Sequence, residues 1–186
     1  MQTTLPNRKY PRLKHFDYNS NGYYFITICT DNFIPFLSKI KADNTHPALP
    51  ETISSLIQPE LTPIGQIVEE QLLALSERFP SVTIDKYVIM PNHIHAIIII
   101  HNDETDPNSK SHEAHYDKQS MLMATVRVIK SLTTRMANQM ENRQGRKIWQ
   151  RSFYDEIVRN NSAYQRIWQY IDENPAKWHE DRYHRS

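Results

Sequence analysis

Apolar positions along this chain follow two rhythms, one of period two and one near 3.6, and the switches between them mark its elements. Tyr23 to Thr30 is a dense aromatic and β-branched run behind the turn-forming Asn19-Ser20-Asn21-Gly22, and it predicts a first strand. Phe33 to Ile40 offers a short second one. Residues 41–60 carry Pro47, Pro50 and Pro59 without a period and read as a loop or insertion. Thr62-Pro63 opens a helix with cap and first-turn proline in the favoured order. Ile64, Ile67, Val68, Gln71, Leu72 and Leu75 form its mostly apolar stripe, which ends before Pro80. Val82 to Ile89 predicts a strand, a Pro-Asn turn follows, and the stretch through Ile100 returns as its hairpin partner. The polar tract 101–119 reads as a loop. Met121 to Met140 has helical spacing, with Leu122, Val126, Ile129, Leu132 and Met136 predicted inward and Arg127, Lys130 and Arg135 outward. Ile148 to Tyr154 predicts a further strand, which Glu156-Ile157-Val158 continues or turns out of. Asn160-Asn161-Ser162 caps a last helix from about Ala163 to Asp172, stopping at Asn174-Pro175.

The order is a βαββαβ core with additions, so the expected fold class is α+β: a ferredoxin-like, RNA-recognition-like sheet with an added C-terminal helix. One domain spans 1–186, with polar loops or insertions at about 41–60 and 101–119. Two crossover helices would cover one sheet face, leaving the other for a site against which the final helix can lie.

Composition narrows the class. Lys and Arg total 22 against 21 Asp and Glu, a formal net charge of +1, so bulk charge does not announce a nucleic-acid binder. Its distribution says more. Between Lys118 and Arg166 ten basic residues face only Glu141, Asp155 and Glu156, and Arg8, Lys9, Arg12, Lys14 and His15 form a second basic cluster. Such segregation suits either a phosphate backbone or a solvated helix face. The one cysteine, Cys29, excludes an internal disulfide and fits a reducing compartment. The first residues lack the apolar core of a signal peptide and no run approaches membrane-spanning length, so the expected location is cytoplasmic.

The stretch that carries chemistry is Met90-Pro91-Asn92-His93-Ile94-His95, followed by Ala96 and four isoleucines. Alternation puts His93 and His95 on the same side of a strand, about 7 Å apart along the chain. Two readings fit: a pair of satisfied histidines at a sheet end, or a grip on one metal ion with each second ring nitrogen held by an orienting partner. In the final helix Tyr170 and Asn174 are four apart and share a face. Packed towards the histidines, Asn174 becomes a third, oxygen-donating ligand and Tyr170 a hydroxyl beside the metal. A His/His/amide set with open positions suits Mg²⁺ or Mn²⁺, although imidazole also admits softer metals. Such a site polarises a phosphodiester, with Tyr170 as nucleophile. By contrast, His112-Glu113-Ala114-His115 lacks the spacing that puts two rings on one helical face and reads as loop. Tyr154 and Tyr164 read as structural, Trp149, Trp168 and Trp178 as core rather than base-stacking platforms, and Phe153 as buried.

Pro91-Asn92-His93-Ile94-His95 resembles the HUH motif of single-tyrosine transposases. The stretches Trp149 to Asn160 and Tyr170 to Trp178 resemble the REP-associated tyrosine transposases, bacterial relatives of the smallest insertion-sequence transposases, and so do Arg12-Leu13, Tyr18 and Phe25 to Thr30. The resemblance spans most of the chain except 41–60 and 101–119. It implies His93, His95 and Asn174 as metal ligands, a divalent cofactor, and Tyr170 as catalytic tyrosine. The implied reaction cleaves single-stranded DNA near a hairpin, leaving a 5′-phosphotyrosine and a free 3′-hydroxyl. The basic arm of Arg8, Lys9, Arg12 and Lys14, with Arg127, Lys130 and Arg151, would hold hairpin phosphates. The implied state is monomer or homodimer in a bacterial cytoplasm. A second reading is a binding module of the same fold that holds structured single-stranded DNA or RNA without cutting it. A third, a water-activating metallohydrolase, needs a general-base carboxylate that the sequence does not identify.

Overall fold

The computed structural model describes residues 22–40, 57–101 and 121–184. The strands are β1 (Gly22–Cys29), β2 (Ser38–Lys39), β3 (Glu60–Leu61), β4 (Val82–Ile89), β5 (His93–Ile100) and β6 (Tyr154–Val158). The helices are α1 (Pro63–Leu73), α2 (Leu75–Arg78), α3 (Met121–Met140) and α4 (Asn161–Glu173), with 3₁₀ turns at Asp31–Phe33 and Trp178–Glu180. Four strands form an antiparallel sheet in the order β4-β5-β1-β6, and β2 and β3 pair separately. This is the ferredoxin-like arrangement, with α4 added. It bears out the expected fold class.

Strand alternation divides the sheet into two faces. Tyr24, Ile26 and Ile28 of β1 and Ile94, Ala96, Ile98 and Ile100 of β5 point into a core built with Ile64, Val68 and Leu72 of α1 and Leu122, Val126 and Ile129 of α3. Phe25, Ile97, Val88 and Val158 point the other way and meet Ile167 and Ile171 of α4. Each such side chain contributes roughly 2 kcal/mol by leaving water, so α4 is held by a small apolar footing and not by its own propensity. Both faces of β5 are therefore covered, which is why a strand of consecutive apolar residues is stable here.

Local signals set the helix boundaries. The Thr62 side chain accepts from Gly65 N at 3.1 Å and Pro63 fills the first turn of α1. A side chain at Gly65 would fall on the Leu37 carbonyl oxygen, so only glycine lets α1 sit this close to the β2 lead-in. The helix breaks at Ala74, so the stripe expected to run to Pro80 is carried by α1 and α2 together. Asn160 caps α4 through Ala163 N at 2.8 Å.

Four expectations need correction. Residues 148–153 are not a strand: apart from a single bridge between Trp149 and Thr30, they form a connection across the sheet end, and β6 begins only at Tyr154. Of Phe33 to Ile40, Ser38 and Lys39 alone pair, and their partner β3 begins at Glu60, the last residue of the stretch expected to be loop. On α3 the inward positions after Ile129 are Thr133 and Ala137, not Leu132 and Met136. Thr133 can be buried because Trp149 Nε1 donates to its hydroxyl at 2.8 Å, which also fixes Trp149 in the core as expected. Trp168 is exposed instead, with the Lys86 ammonium 3.8 Å above its ring. Residues 1–21, 41–56 and 102–120, including the basic arm and His112-Glu113-Ala114-His115, lie outside the described residues.

A candidate metal and tyrosine site

The β1–β5 register places Thr27 opposite His95 and Cys29 opposite His93, on the face that α4 covers. The two imidazole centroids are 4.5 Å apart, closer than the backbone repeat, so the rings lean together. Both are fully buried. Their outer nitrogens are held. His93 Nδ1 is 2.8 Å from Asn92 Oδ1, and the Asn92 amide donates to the carbonyls of Phe33 and Tyr183. With its NH₂ so engaged, Asn92 can only accept from His93, which puts the His93 hydrogen on Nδ1 and a bare lone pair on Nε2. His95 Nδ1 is 2.9 Å from Thr27 Oγ1, and its Nε2 is 3.2 Å from the Tyr170 hydroxyl.

Charge is suppressed on both imidazoles and on the phenol. Burial pushes His93 down to about 4 and His95 well below the usual imidazole range, the latter helped by its histidine neighbour and Arg182, so both are neutral at pH 7. Burial and then the Asp181 carboxylate push the Tyr170 phenol up to about 12, so it carries its proton and donates to His95 Nε2. The same tautomer then holds on both rings, with each Nε2 turned to the α4 side.

α4 delivers the rest. Its apolar footing lies at Ile167 and Ile171, so Tyr170 and Asn174, one turn apart, come down beside the histidines. Tyr170 is 39% exposed at the mouth of a cleft of about 260 Å³ that also presents Lys177, Asp181 and Arg182. Asn174 is buried, donates from Nδ2 to Asp181 Oδ2 at 2.7 Å, and leaves Oδ1 without a hydrogen-bond partner. His93 Nε2 is likewise buried and without one. Donor atoms of His93, His95 and Asp181 all lie within 4.8 Å of one another. Buried acceptors without a donor at His93 Nε2 and Asn174 Oδ1, beside the donor atoms of His95 and Asp181, fit a divalent cation.

The structure therefore brings together His93, His95, Tyr170 and Asn174 within one chain. It does not bring Arg127, Lys130 and Arg151 to them. These line a separate groove on the helix-covered side, between α3 and residues 147–153, where Arg135 and Lys147 join them. Arg127 and Arg151 are exposed. The Lys130 ammonium is committed to structure, donating to the carbonyls of Gln150, Arg151 and Ser152 at 2.8 to 3.3 Å. Tyr164 is structural as expected, its hydroxyl on Asp85 Oδ2 at 2.7 Å, and Phe153 is buried.

Several residues of the site escaped the sequence. Asn92 sits in the β4–β5 turn next to His93, whereas Thr27 is found only once the long-range β1–β5 pairing is known. Asp181, Arg182 and Tyr183 follow α4 in a stretch with no period to read. Tyr183 packs its ring 4.7 Å from His93, and Phe33 stacks behind it at 6.1 Å. Phe33 has a left-handed backbone (φ 57), uncommon for a bulky residue and costly by ~1 kcal/mol or more. That conformation aims its carbonyl at Asn92.

No family model matches the chain. A protein of uncharacterised function from Haemophilus influenzae is 31% identical over 184 residues, covering 96% of this chain and 93% of the relative. The solved structure of a REP-associated tyrosine transposase bound to a REP hairpin shares the fold, with a TM-score of 0.52 and 18% identity over 92% of this chain and 74% of the other. The resemblance read from the sequence thus meets a structural neighbour of the same description. Among the described residues no helix is long and apolar enough to cross a membrane.

Proposed function

We propose that this chain, which belongs to one family with the Haemophilus influenzae protein and has the fold of the REP-associated tyrosine transposase, nicks single-stranded DNA and transfers the cut strand through Tyr170. The observation that carries the reading is the Tyr170 hydroxyl at a small cleft, in hydrogen-bond reach of His95 Nε2, with the paired imidazoles and the Asn174 amide buried beside it. A satisfied structural pair of histidines would not leave His93 Nε2 and Asn174 Oδ1 bare beside a half-exposed phenol.

His93, His95 and Asn174 hold the cation, Mg²⁺ or Mn²⁺ by their chemistry. When bound it supplies positive charge to a phosphodiester oxygen. Asn92 and Thr27 keep the rings in the tautomer that turns Nε2 inward. Tyr170 Oη attacks phosphorus, the phosphorus–oxygen bond to the 3′-oxygen breaks, and the phenolic proton leaves as that oxygen gains one. The products are a 5′-phosphotyrosine and a free 3′-hydroxyl, and rejoining is the reverse. The phenol is pushed further up here, and positive charge beside it lowers the cost of losing its proton. Arg182, at the cleft, supplies a fixed charge from the protein itself. Arg127 and Arg151, which lie outside the cleft, meet hairpin phosphates together with the basic arm of Arg8, Lys9, Arg12 and Lys14.

The test is a labelled single-stranded hairpin oligonucleotide mixed with the protein and Mn²⁺. A band that survives denaturant is expected with the natural chain and none with Tyr170→Phe, while hairpin affinity stays within about twofold. Hairpin binding without any adduct from the natural chain would leave the non-catalytic binder.

A further inference from the structure

Asp181 stands where the sequence reading had no carboxylate. The chain leaves α4 at Asn174, makes the 3₁₀ turn Trp178–Glu180, and returns over the histidines. Asp181 N bonds Trp178 O at 3.1 Å, Tyr183 N bonds Asp181 Oδ1 at 2.6 Å, and Asn92 Nδ2 bonds Tyr183 O at 2.7 Å. The return is therefore braced within itself and tied to Asn92, which already holds the His93 ring. It places Asp181 Oδ2 4.0 Å from His93 Nε2, with the side chain 2% exposed.

A carboxylate so enclosed costs several kcal/mol unless a positive charge answers it. Its hydrogen-bond donors are an amide NH₂ and a backbone N–H, both neutral. The ring facing it at 4.0 Å is His93, whose Nε2 is buried and makes no hydrogen bond. From α4 it faces Asn174 and Tyr170, and from its own segment Arg182, whose guanidinium donates to the Tyr183 hydroxyl. An acceptor-rich pocket holding one buried negative charge has the composition of a cation site, not of a packed tail.

The geometry points to Asp181 as a carboxylate ligand of the metal, completing a His93/His95/Asp181 set in which Asn174 is a fourth, neutral donor. This rests on the metal reading above and extends it. Bonds of ~2.1 Å at angles of ~90–110° place two donors ~3.0–3.4 Å apart, so closing the observed 4.8 Å limit on an ion needs shifts of up to about 1 Å per side chain. The consequence is electrostatic: a neutral His/His/amide set leaves both charges of the ion uncompensated in a buried place, and Asp181 cancels one of them. Oδ2 would do this while accepting from Asn174 Nδ2, a hydrogen bond that fixes the amide and leaves its Oδ1 unpartnered.

The test uses the full chain and Co²⁺, whose visible bands report its ligands. Calorimetric titration should show binding that His93→Ala abolishes and Asp181→Asn weakens at least ~10-fold, with altered bands at saturation. Unchanged affinity, or weaker affinity with unchanged bands, makes Asp181 a structural residue and overturns the assignment while leaving the metal site intact. Binding that also survives His93→Ala would instead overturn the metal reading itself. Should Asp181→Asn fail to fold, Asp181→Glu carries the test: its displaced carboxylate keeps the charge but must shift the bands, and identical bands overturn the proposal.

Discussion

The two faces of the central sheet are made from alternate residues of the same strands, yet they are stabilised in opposite ways. The α1/α3 face is aliphatic throughout β5, with Ile94, Ala96, Ile98 and Ile100 meeting helix side chains. The α4 face begins with Phe25 and Ile97 but gives way, toward the Pro91-Asn92 turn, to Thr27, His93 and His95. The first face holds the fold together without asking for any particular direction of approach. The second depends on direction: each polar atom has one partner at one angle, and two have none. A thick apolar layer on one side is what lets the other side keep unsatisfied atoms in register.

That contrast can be broken from either side. The largest effect should come from His93→Ala, which is expected to lower metal affinity at least ~100-fold by calorimetry with only a modest change in melting temperature. Ile98→Ala should do the reverse, costing about 3 kcal/mol of unfolding free energy in urea while metal affinity stays within a few-fold. If Ile98→Ala instead erased metal binding in the folded protein, the two faces would not be separable. Acid should strike the polar face. The folded-state value of His93 is depressed, so its contribution is complete above the unfolded value near 6.5 and is lost as pH falls towards about 4. For this residue the loss is on the order of 3 kcal/mol, read from urea midpoints of the metal-free protein across that window. His93→Gln should flatten the slope. The smallest effect sharpens the picture: His95 Nε2 has one lone pair, which accepts from Tyr170 or holds a cation. Tyr170→Phe should therefore tighten metal binding by a few-fold, about 1 kcal/mol.

How much of this was readable beforehand divides along the same line. Period-two and period-3.6 patterns are records of apolar burial, so they located β1, β4, β5, α1 and α4 and hence the sheet order. They mislead where burial is bought without that period. Ile148, Trp149 and Phe153 are buried, which mimics a strand, but the backbone between them is a connection whose carbonyls are capped by Lys130 and whose Gln150 N reaches Cys29 O. Thr133 faces inward because of one indole N–H, a partnership invisible in a hydropathy profile. That His93 shares a face with His95, and Tyr170 with Asn174, was legible from strand and helix spacing, while reading the four as one site leaned on the resemblance to the transposase family. Asp181 was not, since its place depends on a turn after the last helix and on hydrogen bonds to Asn92's neighbours in space.

Cover on both sides of β5 has a further consequence for how this chain can vary. Sliding β5 by a single position against β1 would send isoleucines into the cleft and imidazoles into oil, and neither layer has room to absorb the exchange. In a half-wet sheet such a slip costs only a few contacts, and strands of that kind drift. Here a one-residue insertion between Asn92 and Ile100 would be scrapped at folding before it could be tried as chemistry, whereas a paired insertion beyond Ile100 would leave the histidines where they stand.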